Sequence, residues 1–377
     1  MSTAEYFWRP AALLQTRTRS PQVRLSIGRE DAGVPRCQRS HPMGAPDTSG
    51  RVPWWARLRD HRWTSIERAG VIAALAIVIG SLFVTTYTLA LGDPVPRRID
   101  AALVGDTRGN ARTVKAVQGV AENSLDFTDY ESLAAARDAI DRQRVYAALD
   151  LTSARPTLYV ASAAGASVAH VLEKTSTVDP TVRVVDTHPL ASTDPSGLDI
   201  FYLMLVATIV GFITVFQARA LAGGLPLSHW TGFVVAFALA ASLALTLVEG
   251  PILDRLDIPV LEVWGILAMH LLAVASFASV MTVLVGRWAI VPTTLFFVVL
   301  GNSSSGGAVS PPLLPAPFAF VSQWLPSGAT VTSLRDAIYF PGYEHARPVL
   351  VLAAWTAALF GAMLVASYRR GTSPGGR

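Results

Sequence analysis

Residues 69–92 run for about 24 positions without a charged side chain, enough helix to cross roughly 30 Å of hydrocarbon. No other feature constrains the fold as strongly, because hydrocarbon admits only segments that satisfy their backbone polar groups internally. Stretches of similar character follow at 198–218, 231–248, 260–285 and 349–367. One more, 288–301, is shorter, about 14 residues or roughly 21 Å as helix. Composition agrees: of 377 residues, 51% are apolar and 15% charged, so a soluble fold would leave large apolar surfaces in water. The expected fold class is an α-helical polytopic membrane protein with six transmembrane helices.

Arginine sets the expected orientation. The net charge of +4 comes almost wholly from it, with lysine only at Lys115 and Lys174; with heavy alanine and glycine use, this suggests a bacterial source. Arg57, Arg59, Arg62 and Arg68 precede the first span, Arg219 follows the second, Arg287 separates the fourth and fifth, and Arg369 and Arg370 follow the sixth. Six crossings with both ends in the cytoplasm put all of these on one side, as the positive-inside rule requires. Arg97, Arg98, Arg255 and Arg347 are the exceptions. Residues 1–50 mix Arg, Ser, Pro and Gly without periodicity and read as a disordered cytoplasmic tail. No apolar stretch opens the chain where a cleavable leader would sit. Residues 51–68 alternate tryptophan with arginine and read as an interfacial amphipathic helix; residues 368–377 read as a second cytoplasmic tail.

Between the first two spans, residues 93–197 have the composition of a soluble α/β domain. Strands are expected at 101–104, 125–127, 145–151, 157–161 and 182–185, with helices at 110–121, 131–142 and 166–174. The fold is therefore six transmembrane helices with an inserted extracytoplasmic α/β domain between helices 1 and 2. Cys37 is the only cysteine, so that domain holds together by its core alone. The Gly105–Asp106 pair reads as a plain strand-to-helix turn, since the glycine pattern of a phosphate loop is absent.

Catalytic signatures are missing from the sequence. It contains no HExxH, CxxC, GxSxG or phosphate-binding GxxxxGK[ST]. No enzyme activity and no cofactor or metal are expected, and basic stretches beside spans mark topology rather than nucleic-acid binding. The informative region lies within the membrane domain, 198–367. The span at 288–301 is too short to cross alone and runs into Asn302, Ser303, Ser304 and Ser305, then a Gly/Pro-rich stretch. Irregular polar backbone at membrane depth survives only when buried in protein or lining a wet cavity. Residues 302–345 therefore read as an external re-entrant segment: 318–325 dips back, and a helix carrying Val331, Leu334 and Ile338 on one face lies on the outer surface. His270, near mid-span, and Glu262, near the outer end, are intramembrane ionisable groups. With Asn302–Ser305 they are the candidate pathway residues.

This layout resembles the ABC-2 type exporter permeases, in particular their phage-infection-protein branch. The resemblance is carried by IDAALVGD at 99–106, DPSGL at 194–198, SGG at 305–307 with Pro311, Pro312 and Pro315, and PSGA at 326–329 running into Leu334 and Arg335. It covers about residues 55–370, more by architecture than by strict motif. The resemblance implies a permease in a bacterial plasma membrane, pairing as a homodimer or heterodimer and powered by a separate ABC ATPase subunit. It also implies an ATPase-coupling turn at Arg219, Leu225, Pro226 and His229. The alternative is a non-transporting surface protein whose external domain binds a phage, an envelope polymer or a secretion apparatus.

Overall fold

A computed structural model describes residues 64–372 apart from Asp93, Gly223 and Glu344. The tail 1–50 and the expected interfacial helix as far as residue 63 lie outside the described residues. The first helix, α1 (Ser65–Leu91), begins at a reciprocal capping box: Glu67 N–H donates to Thr64 Oγ1 at 3.2 Å, and Thr64 N–H donates to Glu67 Oε2 at 2.7 Å. Thr64 is extended, as an N-cap residue is. Residues 65–68, expected to close the interfacial helix, thus belong to α1 instead.

Five helical stretches are long and apolar enough to cross a membrane: Ala69–Leu91, Asp199–Leu221, Leu227–Ile252, Val260–Asn302 and Ala346–Arg369. They correspond to α1, α6 (Asp199–Leu221), α7 (Leu227–Leu247), α8 (Val260–Val285) with the limb after it, and α12 (Ala346–Thr372). Residues 368–372, expected in a tail, continue α12. The fourth stretch is not straight. Gly286 takes φ +61°, a conformation that costs a side-chain-bearing residue dearly, and the chain reverses there. Phe277 stacks on Phe296 at 5.2 Å and meets Phe297 edge-on at 5.5 Å. In one continuous helix, Phe277 and Phe297 would stand about 30 Å apart. The returning limb is irregular: a 3₁₀ turn (Gly286–Ala289), α9 (Ile290–Thr293) and π-helical turns over Thr294–Asn302. Pro292 inside α9 lacks the N–H that would continue the ladder.

The sheet lies between α1 and α6. Its strands are β1 (Ile99–Val104), β2 (Leu125–Asp129), β3 (Ala147–Asp150), β4 (Thr157–Val160) and β5 (Arg183–Asp186), in spatial order 2-1-3-4-5. All neighbours run parallel except β3 and β4. The expected strands and helices recur with ends shifted by one or two residues. Alternation splits β1 between two cores. Ile99, Ala101 and Leu103 face α2 (Ala111–Val120) and α4 (Ala166–Glu173), whereas Ala102 and Val104 face α3 (Leu133–Asp141). A four-residue helix, α5 (Thr175–Val178), precedes β5.

At the end of β3, Asp150 is buried and accepts from Thr152 N–H at 2.9 Å, Thr152 Oγ1 at 2.6 Å and Ser153 Oγ at 2.9 Å. Desolvation is the largest single influence on this carboxyl and raises its pKa, but the hydrogen bonds together outweigh it and hold the group below its usual value. A depressed acid stabilises the fold above its ordinary pKa, near 4, and that contribution is lost as pH falls through the native value. Asp150→Asn is therefore expected to lower stability by about 1–2 kcal/mol at neutral pH. In thermal melts the gap between variant and parent should narrow as the medium is acidified below about pH 4. A gap that stays constant would remove the charge from this account.

Residues 302–345 join the two parts. Val309, Leu313 and Leu314 belong to the core on one face of the sheet, while Phe340 closes the core on the other. Between them lie α10 (Ala316–Ser322) and α11 (Pro326–Tyr339). The helix expected on the outer surface is instead buried. Ala329, Val331, Leu334 and Ala337 pack with Met204 of α6 and Leu267 and Leu271 of α8. Small residues allow it: a Cβ on Gly328 would lie 2.0 Å from the carbonyl oxygen of Ser322. The dip is thus shared. The chain passes through α10, turns at Leu325, and α11 climbs back from the middle of α8 to the sheet.

Candidate functional site

A polar seam runs through the packed helices where α6, α8, α11 and the π-helical limb meet. His270 lies near the middle of α8 and is fully buried. Its Nε2 is 2.8 Å from Thr208 Oγ1 of α6, and its Nδ1 is 2.9 Å from Thr330 Oγ1 of α11. Each threonine also lies within reach of its own helix: Thr208 Oγ1 to Met204 O at 2.9 Å, and Thr330 Oγ1 to Pro326 O at 2.7 Å. Proton counting then works for a neutral ring. One threonine donates into the unprotonated nitrogen; the other accepts from the ring N–H and donates to its carbonyl. Phe297 of the returning limb presents its ring edge-on at 6.2 Å. His270 therefore ties three elements together as a cross-brace.

The π-helical limb ends just beyond this brace. A Cβ on Gly301 would come within 2.6 Å of Ser327 Oγ, so the limb and the start of α11 are in direct contact. The predicted pathway residues Asn302, Ser303, Ser304 and Ser305 are all buried. Three of them are occupied with the limb's own backbone. Ser303 donates to Val299 O at 2.6 Å, Ser304 to Leu300 O at 2.6 Å, and Ser305 to Asn302 O at 2.9 Å. Asn302 differs: its amide is not taken up by the limb's own backbone, and the polar side chain it meets is Tyr87 of α1. Ser327 and Ser333 of α11 carry buried, unspent hydroxyls. Buried polar groups in native proteins are nearly always paired, with protein or with ordered water.

Glu262 does not join this seam. It is exposed at the start of α8, about two turns from His270. The turn predicted to touch an ATPase joins α6 to α7. Leu225, Pro226 and His229 are exposed there, with Pro226 as the N-cap of α7. Arg219 does something different: its guanidinium lies 3.6 Å above the buried ring of Trp230, fastening α6 to α7.

At the sheet end of the bundle, a set of charged groups that sequence reasoning missed locks the parts together. Asp194 accepts from the N–H groups of Leu198 and Asp199, both at 3.0 Å, and so caps α6. Asp199 receives Arg255 through two bonds, at 3.0 and 3.1 Å. That carboxylate holds the Arg255 guanidinium above its already high value. Asp336 of α11 is buried and accepts from Gln143 Nε2 at 2.8 Å and from His345 N–H at 3.1 Å, with His345 Nδ1 at 3.2 Å. His345 Nε2 reaches Arg142 O at 3.1 Å. One carboxylate thus connects α11, the entry to α12 and the loop after α3. The available signal was an Arg335-Asp336 pair in an otherwise uncharged helix. Among the described residues, no group of three His, Cys, Asp or Glu side chains gathers as metal ligands would. No family model, curated protein or solved structure matches the chain.

Proposed function

We propose that this chain is the permease subunit of an ABC-2 type exporter, acting as a membrane dimer with a separate ATPase subunit. The observation that carries the reading is the broken limb 286–340: two partial-length segments wedged between full-length apolar helices, with the buried Ser327 hydroxyl unspent where they touch. Membrane transporters use such interrupted helices because backbone leaving the helical ladder is tolerable only beside protein or a wet cavity. In this reading Val260–Asn302 crosses twice, giving six crossings. The turn 222–226 and both termini then face the cytoplasm, and the sheet lies outside the plasma membrane. The arginine bias supports the same orientation.

Exposed Leu225 and His229 at the α6–α7 turn suit contact with an ATPase. The test is purification of the tagged full-length protein from its native membranes in mild detergent. An ATPase subunit should accompany it, and a Leu225→Asp, His229→Asp double variant should recover at least about tenfold less. Absence of any ATPase from the parent preparation would defeat the proposal. The second reading, a surface-binding protein without transport, treats the external domain as an appendage. Burial of Val309, Leu313, Leu314 and Phe340 in the sheet's cores speaks for a mechanical connection instead. For the same reason, deleting residues 95–195 cannot separate the readings: it would strip the cover from these side chains.

A further inference from the structure

A cavity of about 270 Å³ opens where the sheet meets the bundle, and its lining is basic. Arg335, Arg347 and His345 line it together with Tyr146, Gln143, Gln323 and Thr332. Among the described residues, no acidic side chain lines it. Asp336 lies against His345 and is already engaged by Gln143 and His345. Arg335 is half-buried and spends a guanidinium nitrogen on Gly306 O at 3.0 Å. A guanidinium has five N–H donors, and a carbonyl takes up little of that capacity. Arg347 bonds Gln323 Oε1 at 2.9 Å and lies 5.1 Å over the Trp324 ring. Burial raises the Tyr146 pKa, and Arg335 partly offsets this, so the tyrosine keeps its proton and can donate. The cavity therefore presents guanidinium, phenol and amide donors on converging walls, while both ring nitrogens of His345 are taken by Asp336 and Arg142 O.

The surroundings of the mouth narrow the choice of anion. Arg347 is the second residue of α12, at the edge of that helix's apolar run. Trp324 beneath its guanidinium, Phe320 four residues earlier in the chain and Leu350 one turn along α12 are 52%, 64% and 66% exposed. Cationic donors above and bare apolar side chains beneath are the two halves of an amphiphile's binding site. A free inorganic anion would have no use for the second half.

We propose that this cavity binds the phosphate headgroup of an anionic membrane lipid, with Arg335 and Arg347 holding the phosphate and an acyl chain lying along Phe320, Trp324 and Leu350. The bidentate fit of guanidinium to phosphate oxygens favours this class over zwitterionic lipids, whose own cation would face the arginines. The cavity holds a headgroup and leaves the chains outside. The inference rests on the cavity and not on the exporter reading. Failure to find an ATPase leaves it standing, and failure of lipid binding leaves the exporter reading untouched.

The test uses the purified full-length protein in uncharged detergent micelles. Phosphatidylglycerol, phosphatidylcholine and inorganic phosphate are titrated separately, with bound lipid counted by native mass spectrometry and stability followed by thermal melts. Phosphatidylglycerol should bind and raise the melting temperature, and phosphatidylcholine should not. Arg335→Gln and Arg347→Gln should each weaken the phosphatidylglycerol affinity about tenfold or more. Arg347 is exposed, so its variant should fold normally and decides the question if Arg335→Gln does not fold. Equal binding of the two lipids, or affinity unchanged in Arg347→Gln, would overturn the proposal. Inorganic phosphate stabilising the protein as well as phosphatidylglycerol does would overturn the lipid assignment and leave an anion site.

Discussion

Replacing Asp336 with alanine is expected to lower the stability of the whole chain by about 2–3 kcal/mol, among the largest effects of any polar substitution. The carboxylate is nearly inaccessible, and its removal strands Gln143 and His345 without their acceptor. Partial exposure of His345 lets water repair part of the loss, which keeps the figure below that for a fully buried pair. The loosening should be local in character. α11 would lose its attachment to the loop after α3, so limited proteolysis should cut faster near residues 142–146 and 340–346. A variant as stable as the parent, with an unchanged cleavage pattern, would mean that apolar packing at Phe340 alone joins the two parts.

His270→Ala is expected to cost about 3 kcal/mol, through the cavity it opens and the loss of the two threonine contacts that tie α6 and α11 to α8. His270→Gln, which reaches one threonine but not both, should recover part of this. These two variants also separate two drives for transport. If the ring is the neutral brace described above, ATP-dependent export should persist in whatever fraction of either variant folds. If His270 carries protons, both variants should abolish proton-coupled flux even in well-folded protein. Flux in proteoliposomes under an imposed pH gradient is the measurement. Loss of flux in folded His270→Gln would sink the structural account of this residue.

Much of the architecture could be read along the chain because its signals are local. The uncharged run at 69–92 is long enough to span by itself. The strand-helix alternation in 93–197 comes from short-range periodicity, and α8 matches its expected limits of 260 and 285. The origin of α1 lies four residues ahead of that uncharged run, because Thr64 and Glu67 exchange hydrogen bonds there, within the segment whose tryptophan-arginine pattern suits an interfacial helix. The candidate site was less legible. Asn302 and His270 stood out as polar residues among apolar ones, yet nothing linear told that His270 would be spent between Thr208 and Thr330, or that Glu262 would point elsewhere. Ser303, Ser304 and Ser305 read as a pathway, whereas their hydroxyls satisfy the limb's own carbonyls.

The 24-residue run with which the sequence makes its strongest statement turns out to be the helix least enclosed by the rest of the chain. Its hydropathy alone determined that it could cross a membrane, since transfer of uncharged side chains into hydrocarbon depends on composition and length. The same holds for the other apolar stretches and for the presence of a small sheet. What only the tertiary structure decided is the role of residues 302–345. Their mixed Ser, Gly, Pro and Ala content fits a loop, a surface helix or a buried wedge equally well. The choice was made by contacts far apart in sequence: Phe340 on one face of the sheet, Leu313 on the other, and Thr330 on His270 between helices. Burial energy belongs to pairs of surfaces, and a sequence lists only one member of each pair at a time.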